Sequence, residues 1–309
     1  MVKFSIVIPL YNKKHHIYET LNSVFSQTFH DYEVILVDDG STDGSLSEVT
    51  AFNEPNFVII RQKNSGVSVA RNRGIREAKG KYIAFLDADD IWYSNYLEEI
   101  NALIEQYPNA GFYVTAYDVE LANKTIKSND CGISRGYLDS YWRTLDAKYD
   151  FVWTSATVVA RNLVLAAGSF TEGEIVGQDL DLWARVAQIN KTIAFSSKSC
   201  VKYNRTAENN ARTRVKIAYP HAFMGVLEDQ LKHACLNSKE KSAIESKYRK
   251  KMIVYIFTTI VNGDRRQARR ILKDWCIGRS NKIAYMLYIA SYLPKSINEK
   301  VYALRLRLF

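Results

Sequence analysis

The sequence has few cysteines and histidines, and their spacing excludes several classes of site. Its 309 residues include four cysteines with no CxxC pair: Cys131, Cys200, Cys235 and Cys276. This spacing argues against a zinc site and favours the reduced thiols of a cytoplasmic protein. The five histidines form neither a triad nor a metal-ligand spacing, so we interpret them as structural or surface residues.

Long hydrophobic runs are also absent. No stretch approaches the roughly 20 apolar residues that span a bilayer. The longest candidates, Ile253–Val261 and Ile283–Leu293, are short and contain polar residues. The apolar run Phe4–Leu10 is too short for the core of a signal peptide, and no small-residue cleavage site follows it. We therefore expect a cytoplasmic protein that does not span the membrane.

Positive charge is concentrated near the C-terminal end. The net charge is +9, yet residues 1–239 carry 26 Lys/Arg and 28 Asp/Glu, whereas residues 240–309 carry 16 and 5. Basic segments with the apolar runs Ile253–Phe257 and Ala284–Tyr288 are typical of helices that lie on an anionic membrane. An alternative is expected almost as strongly as membrane binding. In that alternative, these runs pack on the rest of the chain or on a second subunit in an oligomer. We expect no nucleic-acid partner, because the chain shows no motif for one.

The first half of the sequence alternates between strand and helix patterns. Strand patterns cover Lys3–Ile8, Glu33–Val37, Phe57–Ile60, Tyr82–Leu86 and Gly111–Tyr117. Helix patterns cover His15–Gln27, Val67–Ala78 and Tyr96–Gln106. This alternation predicts an α/β fold whose largely parallel sheet is flanked by helices and binds ligands beyond the carboxyl ends of its strands. After about residue 207 the pattern is helical, which predicts a helical C-terminal extension.

Acidic clusters follow the second and fourth predicted strands. Asp87 and Asp89 come directly after a buried strand, where one carboxylate can hold a divalent cation and its neighbour can bind a ribose hydroxyl. Alone, such a pair is more often a turn or a helix cap, and we interpret Asp90 in that way. The second cluster, Asp38–Asp39, is expected at the same sheet edge. Two acidic clusters repel each other unless a cation or hydrogen-bond donors lie between them, so the pair favours a binding site.

Glycine is present in one of the relevant turns and absent from another. Gly66 permits a helix to begin close to a ligand, and Arg71 in that helix is placed to reach a base or a phosphate. The turn after the first strand, Pro9–Asn12, contains no glycine. That absence argues against a dinucleotide-binding dehydrogenase and against a sugar-phosphate nucleotidyltransferase.

Four segments, in this order and spacing, resemble glycosyltransferase family 2. They are Ser5–Asn12, Val37–Gly44, Gly66–Gly74 and Phe85–Asp90. The resemblance is strong through about residue 117 and continues more weakly to Tyr203. It implies the GT-A fold and an inverting transfer from a nucleotide-sugar donor, with UDP as the nucleotide.

The resemblance also implies roles for individual residues. The positions that match donor-binding residues of the family are Pro9, Tyr11, Asp39, Arg71 and Asp87. The first three match the pocket for the donor's base, and Asp87 matches the ribose-side carboxylate. Asp89 matches the ligand of a divalent cation, Mn²⁺ or Mg²⁺.

A later segment implies the general base. Gly177–Trp183 resembles the family's Glu-Asp segment at a helix start, so Asp179 matches the base. The chain departs from the pattern because Gln178 replaces the acidic residue, which makes Asp181 a rival. Thr206 stands where many members carry a histidine. No histidine metal ligand is therefore expected. The expected ligands of the cation are Asp89, phosphates and water.

Together these observations predict a catalytic domain over residues 1–215, with donor binding in 1–117 and the acceptor side in 118–215. A basic helical region, 216–309, follows it and would place the enzyme peripherally on the cytoplasmic face of the membrane. The predicted acceptor is a hydroxyl of a glycan or lipid-linked molecule, in cell-surface polysaccharide synthesis. A sugar-phosphate nucleotidyltransferase and a non-catalytic, membrane-associated sugar-nucleotide-binding protein stay open as alternatives.

Overall fold

A mixed β-sheet flanked by helices forms the centre of the molecule. The computed structural model describes residues 2–121, 124–127, 132–138, 140–145, 151–206, 222–233, 235–276 and 282–294. The strands are β1 (Phe4–Leu10), β2 (Tyr32–Asp38), β3 (Phe57–Arg61), β4 (Tyr82–Phe85), β5 (Ile91–Trp92), β6 (Phe112–Leu121), β7 (Lys124–Lys127), β8 (Arg135–Leu138), β9 (Thr157–Ala160) and β10 (Ile193–Asn204). Their order is β3-β2-β1-β4-β9-β6-β10-β5, with β7 beside β6 and β8 beside β10.

The two halves of the sheet differ in strand direction. β1 runs parallel to β2 and β4, and β2 runs parallel to β3. β9 lies antiparallel between β4 and β6, while β10 is parallel to β6. The predicted α/β fold class is thus confirmed: the half built from the first four strands is entirely parallel, and the other half is mixed.

The helices cover both faces of the sheet and continue into the C-terminal region. They are α1 (Ile17–Phe25), α2 (Ser45–Val49), α3 (Val67–Glu77), α4 (Tyr96–Gln106), α5 (Tyr141–Thr144), α6 (Arg161–Ala166), α7 (Gln178–Ile189), α8 (Ala222–His233), α9 (Ser238–Val261), α10 (Arg265–Cys276) and α11 (Lys282–Ala290). Within the described ranges, none of them combines the length and the apolar character that crossing a bilayer would require.

Strand alternation builds a core on each face of the sheet. In β1, Ile6 and Ile8 belong to the cluster that contains residues of α1 and α4, while Val7 belongs to the cluster that contains residues of α3 and α7. A strand buried on both faces is expected in an α/β sheet. Gly74 permits α3 to lie close to β1, because a Cβ there would be 2.5 Å from Cγ1 of Val7.

The C-terminal helices pack onto this core. Phe223 and Leu227 of α8 and Ile244 of α9 are buried in the same cluster as the sheet residues. A further cluster joins α9, α10 and α11. The proposed domain boundary between residues 215 and 216 lies outside the described residues.

The two apolar runs of the C-terminal region have different environments. Tyr255, Ile256 and Phe257 are buried within the protein. In the second run Tyr285 and Met286 are about two-thirds exposed, at 68% and 67%. The first run therefore packs mostly on protein, with Val254 39% exposed, whereas the second presents more apolar side chains to the surroundings.

The thiols that the structure describes are unpaired. Cys200 is buried and Cys235 is exposed. Burial raises the pKa of the Cys200 thiol to about 12, so it stays protonated at neutral pH. The side chains of Cys131, Cys276, His221 and His233 lie outside the described residues.

Candidate functional site

A cleft of about 730 Å³ lies at the carboxyl ends of β1, β2 and β4. Its lining includes seven residues singled out from the sequence: Pro9, Tyr11, Asp39, Arg71, Asp87, Asp89 and Asp179. The two acidic turns after β2 and β4 therefore meet, as their placement after parallel strands predicts. Asp181, the rival for the base, does not line the cleft.

Asp39 is held in one position by three donors. Its Oδ1 accepts hydrogen bonds from Gln62 Nε2 and from the backbone N–H of Ser65, both at 2.8 Å. Its Oδ2 accepts one from the backbone N–H of Gly66, also at 2.8 Å. Gly66 has a φ of +94°, which glycine adopts without strain, and α3 begins immediately after it. Tyr11 lines the same cleft and is 40% exposed.

Arg71 orients Asp87. Its Nη2 forms an ion pair with Oδ1 of Asp87, and its guanidinium lies 5.0 Å from the centre of the Phe170 ring. Arg71 is 5% exposed, and its Nε is buried without a hydrogen-bond partner. Oδ2 of Asp87 accepts no hydrogen bond from the described residues. The arrangement leaves one carboxylate oxygen available beside a buried cation.

Asp89 is paired with a residue that the sequence analysis missed. Lys13, in the turn after β1, places its Nζ 2.6 Å from Oδ2 of Asp89. Both side chains are mostly buried, at 14% and 18% exposed. Burial raises the pKa of the Asp89 carboxyl above its usual value, the charge of Lys13 opposes this, and the nearby Asp87 adds to it. Lys13 follows directly after the Pro9–Asn12 motif, and that position was the available signal.

The donor atoms in the cleft fit a divalent cation that takes most of its ligands from a substrate and from water. Among the described residues, no group of three or more His, Cys, Asp or Glu side chains is arranged to hold a metal ion. Asp89 lines the cleft, and its Oδ1 accepts no hydrogen bond from the described residues. Mg²⁺ and Mn²⁺ are hard cations, and sites of this type take one or two carboxylates plus substrate phosphates and water. The residues therefore fit a cation that arrives with a phosphate-bearing ligand.

The two candidate bases have different surroundings. Asp179, in the first turn of α7, lines the cleft, and its Oδ2 lies 3.3 Å from Oγ1 of Thr154. Asp181 is 2% exposed. Its Oδ2 accepts hydrogen bonds from Thr171 Oγ1 and Arg185 Nη2, both at 2.6 Å. The structure thus directs Asp179 to the cleft and commits Asp181 to an internal ion pair.

Asp90 is not the local turn residue that its sequence context suggests. It is fully buried and accepts hydrogen bonds from Ser155 Oγ at 2.5 Å, Trp153 Nε1 at 3.1 Å and the backbone N–H of Asn204 at 3.1 Å. Burial raises the pKa of its carboxyl well above the usual range, and the charges of Asp89 and Asp87 raise it further. Asp90 joins the acidic turn after β4 to the segments before β9 and at the end of β10.

Other cleft residues come from segments that contain none of the four family motifs. Trp153 and Tyr203 line one wall, with their ring centres 4.0 Å apart. Lys251 of α9 also lines the cleft. Thr206 does not line it and instead hydrogen-bonds to Oδ1 of Asn204. These residues are distant in sequence from the acidic turns, so only the tertiary structure brings them to the cleft.

Curated relatives share this region. An uncharacterized glycosyltransferase of Rickettsia conorii is 32% identical over 191 residues, which is 61% of this chain and 30% of that protein. The matched part therefore spans less than a third of that relative's length. The amylovoran biosynthesis glycosyltransferase AmsB of Erwinia amylovora is 31% identical over 212 residues, which is 66% of this chain and 70% of that protein.

Solved structures share the fold. The crystal structure of S. aureus TarS 1–349 in complex with UDP-GlcNAc has a TM-score of 0.73 at 19% identity, and the match covers 97% of this chain and 92% of that one. A mannosyltransferase from Pyrobaculum calidifontis, in complex with GDP-Man and Mn²⁺, has a TM-score of 0.58 at 16% identity, over 96% and 82% of the two chains. These likenesses show the GT-A fold. The sequence profile of Glycosyl transferase family 2 matches residues 5–165, so the chain belongs to this family of glycosyltransferases.

Proposed function

We propose that this enzyme transfers a sugar from a UDP-sugar to a hydroxyl group of a glycan or lipid-linked acceptor, with inversion, in cell-surface polysaccharide synthesis. One observation carries the proposal. A single cleft is lined by Asp39 after β2, Asp87 and Asp89 after β4, and Asp179 at the start of α7. The names of AmsB and the TarS complex with UDP-GlcNAc agree with this pathway and donor class.

The base of the donor binds beside Asp39. Three donors fix this carboxylate, and its Oδ2 accepts only one hydrogen bond from the described residues. A carboxylate acceptor suits a base that offers a ring N–H, as uracil does. Tyr11 supplies a ring face for stacking, and Pro9 completes this side of the cleft. The open oxygen of Asp87, oriented by Arg71, accepts from a ribose hydroxyl.

Asp89 would hold the divalent cation, Mn²⁺ or Mg²⁺, through its Oδ1, which accepts no hydrogen bond from the described residues. When bound, the cation stabilises the negative charge that develops on the departing diphosphate. Lys13 keeps the other oxygen of Asp89 in place at 2.6 Å, which fixes the direction of the carboxylate. The Mn²⁺ in the complex of the Pyrobaculum mannosyltransferase is consistent with such a requirement.

Asp179 acts as the general base. It removes the proton of the acceptor hydroxyl while that oxygen attacks the anomeric carbon. The bond between the anomeric carbon and the diphosphate oxygen breaks, and the nucleoside diphosphate leaves with the bonding electrons. A single displacement of this kind inverts the anomeric centre. The position of Asp179 in the cleft supports this role, whereas Asp181 is occupied by Arg185 and Thr171.

The catalytic domain is proposed to span residues 1–215, with donor binding in 1–117 and the acceptor side in 118–215. Residues 216–309 then attach the enzyme peripherally to the cytoplasmic face of the membrane. The exposed side chains of Tyr285, Met286 and Ile289 on α11 support this attachment, as do Arg266 and Arg270 on the neighbouring α10. Apolar and basic groups side by side suit an anionic lipid surface.

A thermal-shift panel of nucleotide-sugars, measured with and without Mn²⁺, tests the donor proposal. A UDP-sugar at a hundredfold excess over its dissociation constant should stabilise the protein by about 2.7 kcal/mol. GDP- and ADP-sugars should stabilise it less. The Asp39→Asn variant should lose the preference, because an amide presents an N–H where the base N–H would approach. Stabilisation by no nucleotide-sugar, in a protein that is folded by circular dichroism, would contradict the proposal.

A further inference from the structure

The C-terminal helix α9 contributes a cationic side chain to the cleft. Lys251 lies in the basic region beyond residue 239, yet it lines the same cleft as Asp87 and Asp179. The family profile ends at residue 165 and does not include it. Lys251 thus brings a positive charge of the C-terminal region to the border of the candidate active site.

The position of α9 is fixed by buried polar contacts near its start. Asn237 and Glu240 form a reciprocal capping box at its N-terminus. The carboxylate of Glu240 also accepts hydrogen bonds from Ser140 Oγ at 2.7 Å and from Lys191 Nζ at 2.6 Å. One turn before Lys251, Lys247 donates to the backbone oxygen of Leu145 at 2.9 Å. These contacts hold the helix against the catalytic part of the chain.

Lys251 differs from the other cations of the cleft. Of the described lining residues, three are cationic: Lys13, Arg71 and Lys251. Lys13 is paired with Asp89, and Arg71 with Asp87. Lys251 is half-buried, and within the described ranges it makes no hydrogen bond or ion pair. A partly desolvated ammonium without a counter-ion favours the binding of an anion.

We infer that Lys251 binds a phosphate group of a substrate in the cleft, so that the C-terminal region completes the active site. This inference rests on the proposed function, which supplies two sources of phosphate. One is the diphosphate of the nucleotide-sugar, and the other is the phosphate of a lipid-linked acceptor. In both cases the ammonium donates to a phosphate oxygen, and no bond is made or broken by it.

Titration calorimetry on the full chain with UDP, uridine and inorganic pyrophosphate tests the inference. The informative variant is Lys251→Met, because Met and Lys have similar helix propensities. Lys251→Arg keeps the charge and should retain binding. Lys241→Met, an exposed position on the same helix, is the matched control and should behave as the wild type. Circular dichroism establishes that each variant is folded.

Two results support the inference and identify the source of phosphate. If Lys251 binds the donor diphosphate, Lys251→Met weakens UDP about tenfold and leaves uridine unchanged. If it binds an acceptor phosphate, UDP binding is unchanged, and pyrophosphate binds to the UDP-saturated wild type but not to UDP-saturated Lys251→Met. A folded Lys251→Met protein that binds all three ligands like the wild type, with UDP present or absent, would overturn it.

The same titrations distinguish a wrong proposed function from a wrong assignment of Lys251. If the wild type binds neither UDP nor a UDP-sugar, the proposed donor is wrong. The pyrophosphate titration without nucleotide still compares wild type with Lys251→Met. Equal binding in that comparison overturns the assignment of Lys251, and loss of binding in the variant supports it.

Discussion

The ammonium nitrogen of Lys13 lies 2.6 Å from Oδ2 of Asp89, and the two side chains come from the turns after β1 and β4. Their positions are 76 residues apart in the sequence. The contact restrains one oxygen of Asp89, and the other oxygen accepts no hydrogen bond from the described residues. The negative charge of Asp89, the candidate metal ligand, is therefore already balanced by the positive charge of Lys13.

Asp89→Asn should lower turnover by at least about a hundredfold while the fold survives. The amide keeps the size of the side chain and an oxygen for Lys13, but it loses the charge that attracts a divalent cation. Turnover is measured as sugar transfer or donor hydrolysis, with and without Mn²⁺. Asp31→Asn, at an exposed position away from the cleft, is the control for loss of one negative charge. Near-normal turnover of Asp89→Asn in the presence of chelator would contradict the prediction.

Asp179→Asn should abolish transfer and leave UDP binding nearly unchanged, because the base acts on the acceptor. Asp181→Asn should instead lower the free energy of unfolding by about 3 kcal/mol, because it breaks a buried ion pair with Arg185. Single-turnover transfer and chemical denaturation are measured on both variants. If Asp181→Asn is folded but inactive while Asp179→Asn is active, the base has been assigned to the wrong carboxylate.

Asp90→Ala should destabilise the protein by about 3 kcal/mol. The substitution leaves Ser155 Oγ, Trp153 Nε1 and the backbone N–H of Asn204 without their acceptor in a fully buried position. Urea denaturation measures the change, with Asp31→Ala as the control. An unchanged denaturation midpoint would show that water or another side chain replaces the Asp90 carboxylate.

Replacing Tyr285, Met286 and Ile289 together by serine should reduce co-sedimentation with anionic vesicles at low salt. These exposed side chains on α11 supply the apolar part of the proposed membrane contact. Ile189→Ser, at another exposed apolar position, is the control and should bind vesicles like the wild type. The same vesicles without anionic lipid should bind less of the wild type, because the basic residues then lose their partners.

Point substitutions are preferable here to truncation at residue 240. Truncation would remove Ile244, which is buried in the core cluster of the sheet. It would also remove Glu240, which bonds Ser140 and Lys191. Loss of vesicle binding after such a deletion could reflect unfolding. Equal vesicle binding by the triple serine variant and the wild type would argue against the membrane role of α11.

Local patterns in the sequence predicted most of the fold. The strand patterns in the first half correspond to β1, β2, β3, β4 and β6, and the pattern Tyr96–Gln106 coincides with α4. Alternation of apolar residues and helical spacing are properties of adjacent residues, so they are visible without the tertiary structure. Later segments were less regular. The long strand β10, Ile193–Asn204, has irregular pairing near Ser199.

The acidic residues of the site could also be located from the sequence. Asp39, Asp87 and Asp89 follow buried strands, and the carboxyl ends of parallel strands meet at one edge of a sheet. Their resemblance to family motifs added the expectation for Asp179. Neither argument could separate Asp179 from Asp181, because both lie in the first turn of the same helix.

What the sequence determined by itself is the set of elements and the acidic edge of the sheet, since both follow from short-range patterns. The tertiary structure decided which side chains meet there. It placed Asp179 at the cleft, paired Asp181 with Arg185, joined Asp90 to Trp153 by a buried hydrogen bond, and brought Lys13 to Asp89. It also placed Lys251, a residue of the basic C-terminal region, in the lining of the cleft. Contacts between residues far apart in the chain depend on how whole elements pack, and no local pattern encodes that packing.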